Sequence, residues 1–474
     1  MSQRKKIIII GAGPAGLAAA WELARKGQEI IVLEKQDQVG GISKTINHNG
    51  YRFDTGGHRF WTKDKEVQDF WQQILGDEFL TRPRLSRIFY KNKFFYYPLK
   101  ALNALINLGV VESLCVILNY AYTKIVRFLK PRVAVNYEQW ISDRFGKRLY
   151  QIFFETYTQK VWGITPDKIG AEWAAQRIQN LSLIRAIIDA LGLSKKGKVK
   201  TLIDEFQYPK FGPGQMYDQV AEEIKKKGGQ IRIKTEVVGV NILDNTIKSI
   251  IIKDKNGQNE LSADSFISSM PLSELIQNML PNAPTPVLMA NKKLWYRNLI
   301  TVNFIIDKKD VMPDTWIYIH DQKIKAGRLQ NFKNWSPFMS LDENKTNVGL
   351  EYFSTRGDEI DNLSDNDLIK LGKEDWAKLG LGNKDNIEDA FVVRVYDAYP
   401  VYQIGYYEAL NEVVNYVKQF DNLQIIGRGG MYRYNNMDHS ILTGLYAARN
   451  ILGGNYDIFK VNADESYLEY KDDR

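Results

Sequence analysis

At 474 residues and 54.6 kDa the chain is too long for one simple core, so two or three domains are expected. Hydrophobic residues at 44% and charged residues at 25% exclude a disordered or fibrous protein. The single Cys115 excludes an intramolecular disulfide and a thiolate metal cluster, and fits a reducing, cytoplasmic setting. A net charge of +8 and a pI of about 9.0 suit anionic ligands. No zinc spacing, helix-turn-helix or RNA-binding signature accompanies that charge, so neither a metal nor a nucleic acid is expected.

The chain opens with "MSQRKKIIIIGAGPAGLAAAWELA". Its basic start and apolar run look superficially like a secretion signal, but the glycine spacing predicts strand, turn and helix. Gly11 permits the tight turn, Gly13 lets a pyrophosphate approach the backbone, and Gly16 lets the helix pack on the strand. The helix N-terminus then faces the phosphates with unpaired N–H groups. A second strand ends at Glu34, 18 residues after Gly16, where a carboxylate can accept from ribose hydroxyls. Together these features predict a dinucleotide site.

"EKQDQVGGISKT" adds Gly40 and Gly41, and "YRFDTGGHRF" adds Gly56, Gly57 and His58. Short strand-like pieces continue to about residue 98, and 100–192 is helix-dominated. Within it, "ALNALINLGVVESLCVILNYAY" (101–122) is long and apolar, but Glu112 and three asparagines interrupt it. A buried or surface-lying helix fits better than a spanning one. The following "TKIVRFLKPR" leaves contact with a membrane surface open. A helix ("QMYDQVAEEIKKKG"), the runs "QIRIKTEVVGVNI" and "IKSIIIKDKNGQNE" with an Asn-Gly turn, and a buried strand ("ADSFISSMP") fill 203–275. From 293 to 400 strands dominate ("LITVNFIID", "TWIYIHD", "TNVGLEYF", "FVVRVYDAYP"). Strand-like "LQIIG" and a last helix close an α/β fold around the polar knot "RYNNMDHS" (433–440).

The N-terminal stretch resembles the large FAD family that includes amine oxidases, protoporphyrinogen oxidase and UDP-galactopyranose mutase. "GGHRF", "YTQKVWG" (157–163), "EWAAQRI" (172–178), "GRLQNFKNWSP" (327–337), "AYPVY" (398–402) and "RYNNMDHS" resemble motifs of the mutase branch, in the same order. The resemblance runs from residue 7 to about 451 and implies a Rossmann-like FAD domain that is discontinuous in sequence. Its parts would be 1–98, 205–275 and 420–474. A helical insertion (99–204) and an antiparallel-sheet, substrate-facing domain (276–419) would interrupt it.

The resemblance also implies non-covalent FAD, held by Gly11, Gly13, Gly16, Glu34, Gly40, Gly41, Gly57, Gly427, Arg428, Asn436, Asp438, His439 and Ser440. The last four would start the final helix, with backbone N–H groups toward the flavin's pyrimidine edge. Asp438 or Ser440 as a plain N-cap is the simpler reading of that stretch. His58 would touch the flavin near N5. Arg177 and Arg328 would clamp a substrate diphosphate, with Tyr399 and Tyr434 beside them. Tyr157 and Trp162 would flank uracil and sugar, and Tyr97, Tyr318 and Trp335 would complete the pocket. The implied activity interconverts pyranose and furanose forms of a nucleotide-linked sugar, with reduced flavin N5 as nucleophile and NAD(P)H as a suitable reductant. The alternative is an oxidase or dehydrogenase of an isoprenoid or amine substrate. Leu99, Lys100 and Trp335 depart from the mutase pattern on the sugar side, which puts galactose in doubt.

Overall fold

Strand β1 (Lys6–Ile10) carries four isoleucines that are 0–5% exposed, because layers cover both faces of its sheet. The computed structural model describes residues 4–171, 173 and 205–462. Around β1 lie β2 (Glu29–Leu33), β9 (Gln230–Arg232), β13 (Ser265–Ser268) and β20 (Leu423–Ile425). Their order is β20-β13-β1-β2-β9 and every pairing is parallel. Helix α1 (Pro14–Arg25) follows β1 directly, with Pro14 pre-set for its first turn.

Contacts beneath this sheet are backbone to backbone. A Cβ on Gly16 would lie 1.9 Å from the Gly11 carbonyl oxygen. One on Gly444, in the C-terminal helix Met437–Ile451, would lie 2.1 Å from the Ala15 carbonyl. The N-terminal and C-terminal helices therefore touch through glycine, and this closes the discontinuous domain.

A second sheet of seven strands holds β6 (Ser86–Tyr90), β7 (Lys93–Tyr96), β15 (Tyr296–Ile306), β16 (Trp316–Ile319), β17 (Arg328–Asn331), β18 (Thr346–Ser354) and β19 (Ile387–Pro400). Its order is β19-β15-β18-β17-β16-β6-β7. Every residue of β15 and β18 is buried. The hairpin β6–β7 enters by parallel pairing of β6 with β16, so residues 86–96 belong to this sheet and not to the nucleotide-binding part that a boundary at 98 implies. A short strand before Pro98 has too little apolar pattern to reveal such a remote partner.

A third sheet runs β12 (Gly257–Leu261), β11 (Thr246–Asp254), β10 (Glu236–Leu243) and β14 (Met279–Leu280), with the β11–β12 turn at Lys255–Asn256 and Gly257 (φ +104°) opening β12. The run read as one strand, "QIRIKTEVVGVNI", splits between two sheets. Lys234 adopts φ +51°, and the Lys234 and Thr235 N–H groups donate to the Gln36 and Glu34 carbonyls. Two ribbons remain: β3 (Thr45–His48) with β4 (Tyr51–Asp54), and β5 (Phe79–Pro83) with β8 (Glu205–Pro209).

Helix α2 (Lys65–Leu75) is capped by the Asp64 side chain. Helices α3 (Ala101–Leu108), α4 (Val110–Leu129) and α5 (Tyr137–Phe145) build the helical part. Among the described residues no helix is long and apolar enough to cross a membrane.

Gly444→Ala tests the helix closure. Its new methyl meets backbone rather than a movable side chain, so overpacking should cost roughly 1–3 kcal/mol. The urea midpoint should fall with an unchanged slope. A wild-type midpoint would contradict the close approach.

Candidate active site

A cavity of about 740 Å³ opens outside the carboxyl ends of β1, β2, β13 and β20 and runs to the seven-stranded sheet. That volume falls within the usual range for cofactor and ligand sites. The ends of parallel strands are also where such sheets bind ligands.

At the first end, Gly11 turns with φ +97°, and a Cβ there would sit 2.3 Å from Ser269 Oγ. Gly13 differs. Its φ of −78° suits any residue, and a Cβ would meet only Gly41 Cα, at 3.7 Å. Neither strain nor protein packing demands glycine there, so the missing side chain leaves room within the cavity itself. The first turn of α1 carries no acidic residue, which leaves its dipole open to an anion. Gly40 (φ +100°) and Gly41 (φ +57°) fold the next loop against this turn. The Glu34 carboxylate accepts from Ala12 N–H and Gln36 N–H, each at 2.8 Å, so it also pins the glycine turn that it helps to line.

In the middle lie Gly57, His58 and Arg59. Burial, then the charges of Arg428 and Arg328, push the His58 pKa down to about 3. Its ring is a neutral group at ordinary pH. A Cβ on Gly57 would come 2.9 Å from Gln330 Nε2, which fixes the loop against β17.

At the far end, Arg328 on β17 faces Glu351 on β18, its direct cross-strand partner. Arg328 Nε and Nη2 lie 2.5 Å from Glu351 Oε2, and Nη2 donates to Tyr399 Oη at 2.9 Å. Glu351 is fully buried, and its other oxygen accepts from Gln330 Nε2 at 2.7 Å. Arg328 is thus held by one edge and kept charged; burial is the largest single influence and opposes the charge, but Glu351 together with Tyr399, Tyr157 and Tyr434 overcomes it and raises the pKa well above normal. Burial pushes the Tyr399 pKa up to about 12, so its hydroxyl stays protonated.

The loop 427–440 closes the cavity. Gly427 has φ +75°, and Arg428 ties the loop down by donating to the Asn435 and Ala398 carbonyls at 2.9 and 3.3 Å. Its guanidinium lies 4.6 Å over the Tyr434 ring, and Tyr434 stacks on Tyr399 at 5.8 Å. The final helix is capped by Asn436, neither by Asp438 nor by Ser440. His439 does not line the cavity; its Nδ1 accepts from the Asn436 N–H at 3.2 Å in a capping box. Ser440 N–H bonds to the Asn436 carbonyl. The N–H groups of Asn436 and Ser440 are therefore taken up by the cap. Asn436, Asp438 and Ser440 all line the cavity at the helix start.

The remaining expected residues sort by depth. Tyr318 lines the cavity, and Tyr97 (4.8 Å) and Tyr157 (5.5 Å) pack on its ring from behind. Tyr157 also stacks on His320 at 4.8 Å, so the histidine covers one ring face. Trp162 is 6% exposed and sits behind Tyr434 in a cluster with Trp173 and Tyr402. Trp335 is not a pocket wall. It is 2% exposed, stacks on Trp316, and donates Nε1–H to the Thr315 carbonyl. Its departure from the mutase pattern is absorbed by the core. Gly16 and Gly40 shape the turn without lining the cavity. Arg177 lies outside the described residues.

Sequence reasoning missed Glu351, Gln330, Arg59 and His320. Glu351 was visible as the one carboxylate within the buried run "TNVGLEYFS", a position that requires a partner. Lys160 of "YTQKVWG" is a strut: its ammonium donates to the Ile319, Asp321 and Ala326 carbonyls, and burial lowers its pKa to about 7.

This arrangement defines an α/β protein built around a dinucleotide cofactor. The sequence profile of the flavin containing amine oxidoreductase family matches residues 14–452, and the chain belongs to that family. It is a flavoenzyme, and FAD is its cofactor. The fold is similar to that of reduced UDP-galactopyranose mutase: TM-score 0.84 at 20% identity, covering 98% of this chain and 99% of the other. It is also similar to a putative protoporphyrinogen oxidase from Exiguobacterium sp. 255-15, with TM-score 0.72 at 17% identity, over 96% and 100% of the two chains. Sequence similarity to curated proteins is local. A 4,4'-diapophytoene desaturase of Methylomonas sp. is 45% identical over 56 residues, 12% of this chain and 11% of that protein. The phytoene desaturase of Phycomyces blakesleeanus is 52% identical over 56 residues, 12% and 10% of the two lengths. These matches span about a tenth of either desaturase.

Two outcomes are expected. Gly13→Val should leave the urea unfolding free energy of flavin-free protein within about 1 kcal/mol of wild type yet abolish flavin retention, because the side chain occupies cofactor space. Retained flavin would contradict the placement. His320 has its pKa lowered to about 3, first by burial and then by Lys160. A ring held neutral contributes stability that is present above pH 6.5 and lost as pH falls toward 3, by about 1.4 kcal/mol per unit. Urea midpoints at pH 7 and pH 5 should therefore diverge less in His320→Phe than in wild type; equal divergence would refute this account of the ring.

Proposed function

We propose that the protein is an FAD-dependent mutase that interconverts pyranose and furanose forms of a nucleoside-diphosphate sugar. The observation that carries this reading is the far end of the cavity. There Arg328 and Tyr399, backed by Arg428 and Tyr434, make a cluster of donors suited to a diphosphate. Tyr399 Oη accepts from Arg328, so its own proton remains available to a substrate oxygen.

As the bond from sugar to diphosphate breaks, negative charge grows on the leaving oxygen. Donors fixed beforehand stabilise that charge without reorganising. Glu351 holds Arg328 by Nε and Nη2 and leaves Nη1 without a hydrogen bond among the described residues. Among the described residues around Arg328, the Glu351 carboxylate is taken up by Arg328 and Gln330, His58 is neutral with a pKa near 3, and Tyr399 stays protonated to about 12, so donors rather than a base face the cavity. When bound, the reduced flavin supplies the nucleophile that this set of side chains lacks. The aromatic wall of Tyr318, Tyr399 and Tyr434 excludes water and offers faces for base and sugar, with Tyr157 packed behind Tyr318.

A second reading, an FAD-dependent oxidoreductase of an isoprenoid or amine, is favoured by the short similarity to carotenoid desaturases. A charged arginine wedged between tyrosines has no evident task with an apolar substrate.

Turnover separates the two. Enzyme reduced with dithionite and kept anaerobic should convert UDP- or dTDP-hexoses to furanose product in large excess over the reducing equivalents supplied, and oxidised enzyme should be idle. Arg328→Lys and Tyr399→Phe should keep flavin and lose on the order of 30- to 1000-fold in rate, about 2–4 kcal/mol. Product that tracks consumed acceptor, on a substrate that bleaches oxidised flavin, would replace the mutase by the oxidoreductase.

A further inference from the structure

Among the described residues, the outer face of α3 and α4 is an exposed apolar surface that the site does not use. Of the 20 residues of α4, only Ser113, Val116 and Tyr120 are buried. The opposite face carries Val110, Leu114, Leu118, Ile125 and Phe128, with Phe128 86% exposed, and Val133 beyond the helix is 88% exposed. The helix positions are spaced by four, four, seven and three residues, so they form one stripe along a helix about 30 Å long. On a water-facing helix such positions are normally polar. Here Glu112 is the only charged residue between 101 and 123, and it bonds to Arg148 Nε and Nη2 at 2.5 and 2.7 Å.

Charge surrounds the stripe unevenly. Residues 91–148 hold ten Lys or Arg against three Asp or Glu, a net +7 within a chain whose total is +8. All three acids are paired within the segment: Glu112 with Arg148, Asp143 with Arg127 and Arg132, and Glu138 with Lys147. Lys124 and Lys130 are exposed at the basic end of α4. One-eighth of the chain therefore combines an exposed apolar stripe with a net charge nearly equal to that of the whole sequence.

We infer that α3 and α4 dock the protein on the surface of a bilayer containing anionic lipid. The helices would lie in the plane of the interface with the stripe among the acyl chains and the cations at the headgroups. Spanning is not involved, since no described helix is long and apolar enough. A second copy of the chain is the poorer occupant, because pairing this face with itself would bring two +7 segments together. Anionic headgroups complement both the charge and the apolar stripe. The docking is adjacent to the site: the Tyr97 ring packs on cavity-lining Tyr318, and α3 begins four residues later at Ala101. The inference holds whichever reaction the cavity performs.

Flotation of FAD-loaded protein with unilamellar vesicles tests it. Wild type should float with phosphatidylcholine vesicles containing phosphatidylglycerol, several-fold less with phosphatidylcholine alone, and less again at high salt. Leu118→Glu/Phe128→Glu alters exposed side chains, so flavin content and urea midpoint should stay at wild-type levels while vesicle binding falls about ten-fold or more. Lys124→Gln/Lys130→Gln should weaken the preference for phosphatidylglycerol. Wild type that stays with the unbound fraction on phosphatidylglycerol vesicles would overturn the inference. So would undiminished flotation of the double glutamate variant, or a vesicle-indifferent dimer that the same variant splits.

Discussion

A guanidinium and a carboxylate share the inner end of the cavity, and the site is arranged around that pair. Arg328 and Glu351 are directly opposed across β17 and β18, so the register of the sheet fixes their meeting. A slip of one residue would send one side chain to the other face and leave the other charge buried alone. Removing either partner would strand a charge, at a cost of roughly 3–5 kcal/mol. Because Glu351 takes one edge of the guanidinium and Gln330 occupies its other oxygen, the arginine is positioned before any ligand arrives.

The cavity has two ends built on two independent sheets. The glycine turn belongs to the parallel sheet, where backbone approach makes room for a cofactor. Arg328, Tyr318 and Tyr399 belong to the seven-stranded, mostly antiparallel sheet, where alternation puts side chains on one face. The loop "RYNNMDHS" joins them. Tyr432 just before it accepts through Oη from the Trp295 and Val401 N–H groups, each at 3.2 Å, with the carbonyls of the same two residues as acceptors for its one proton, and the Tyr434 N–H donates to Tyr402 Oη at 2.6 Å. Arg428 completes the tie to β19 through Ala398. A histidine in this loop that reads as a ligand contact serves the helix cap. The polar knot is dense because it must satisfy a helix start, a sheet edge and a cavity wall at once.

Local patterns exposed the local parts of this design. Gly11, Gly13, Gly16 and Glu34 were legible because a turn of this type demands them within thirty residues. The strands from 293 to 400 were legible from their apolar runs. The partner of β6 was not, because sheet order depends on contacts more than two hundred residues apart. For the same reason Arg328 could be singled out but not its carboxylate. Trp335 and Trp162 read as pocket aromatics because an aromatic in a motif looks the same whether it lines a cavity or packs behind the wall. Only depth separates them.

Affinity for the leaving group alone probes the central claim, that Arg328 and its tyrosines form a diphosphate site beside the flavin. UDP titrated into FAD-loaded protein, followed by flavin absorbance and by calorimetry, should bind and perturb the flavin spectrum. Arg328→Lys keeps the charge but loses the planar fork that Glu351 and Tyr399 orient, and should weaken Kd by about ten-fold or more with flavin content unchanged. Equal affinity of wild type and variant, or no binding of UDP to either, would contradict the account.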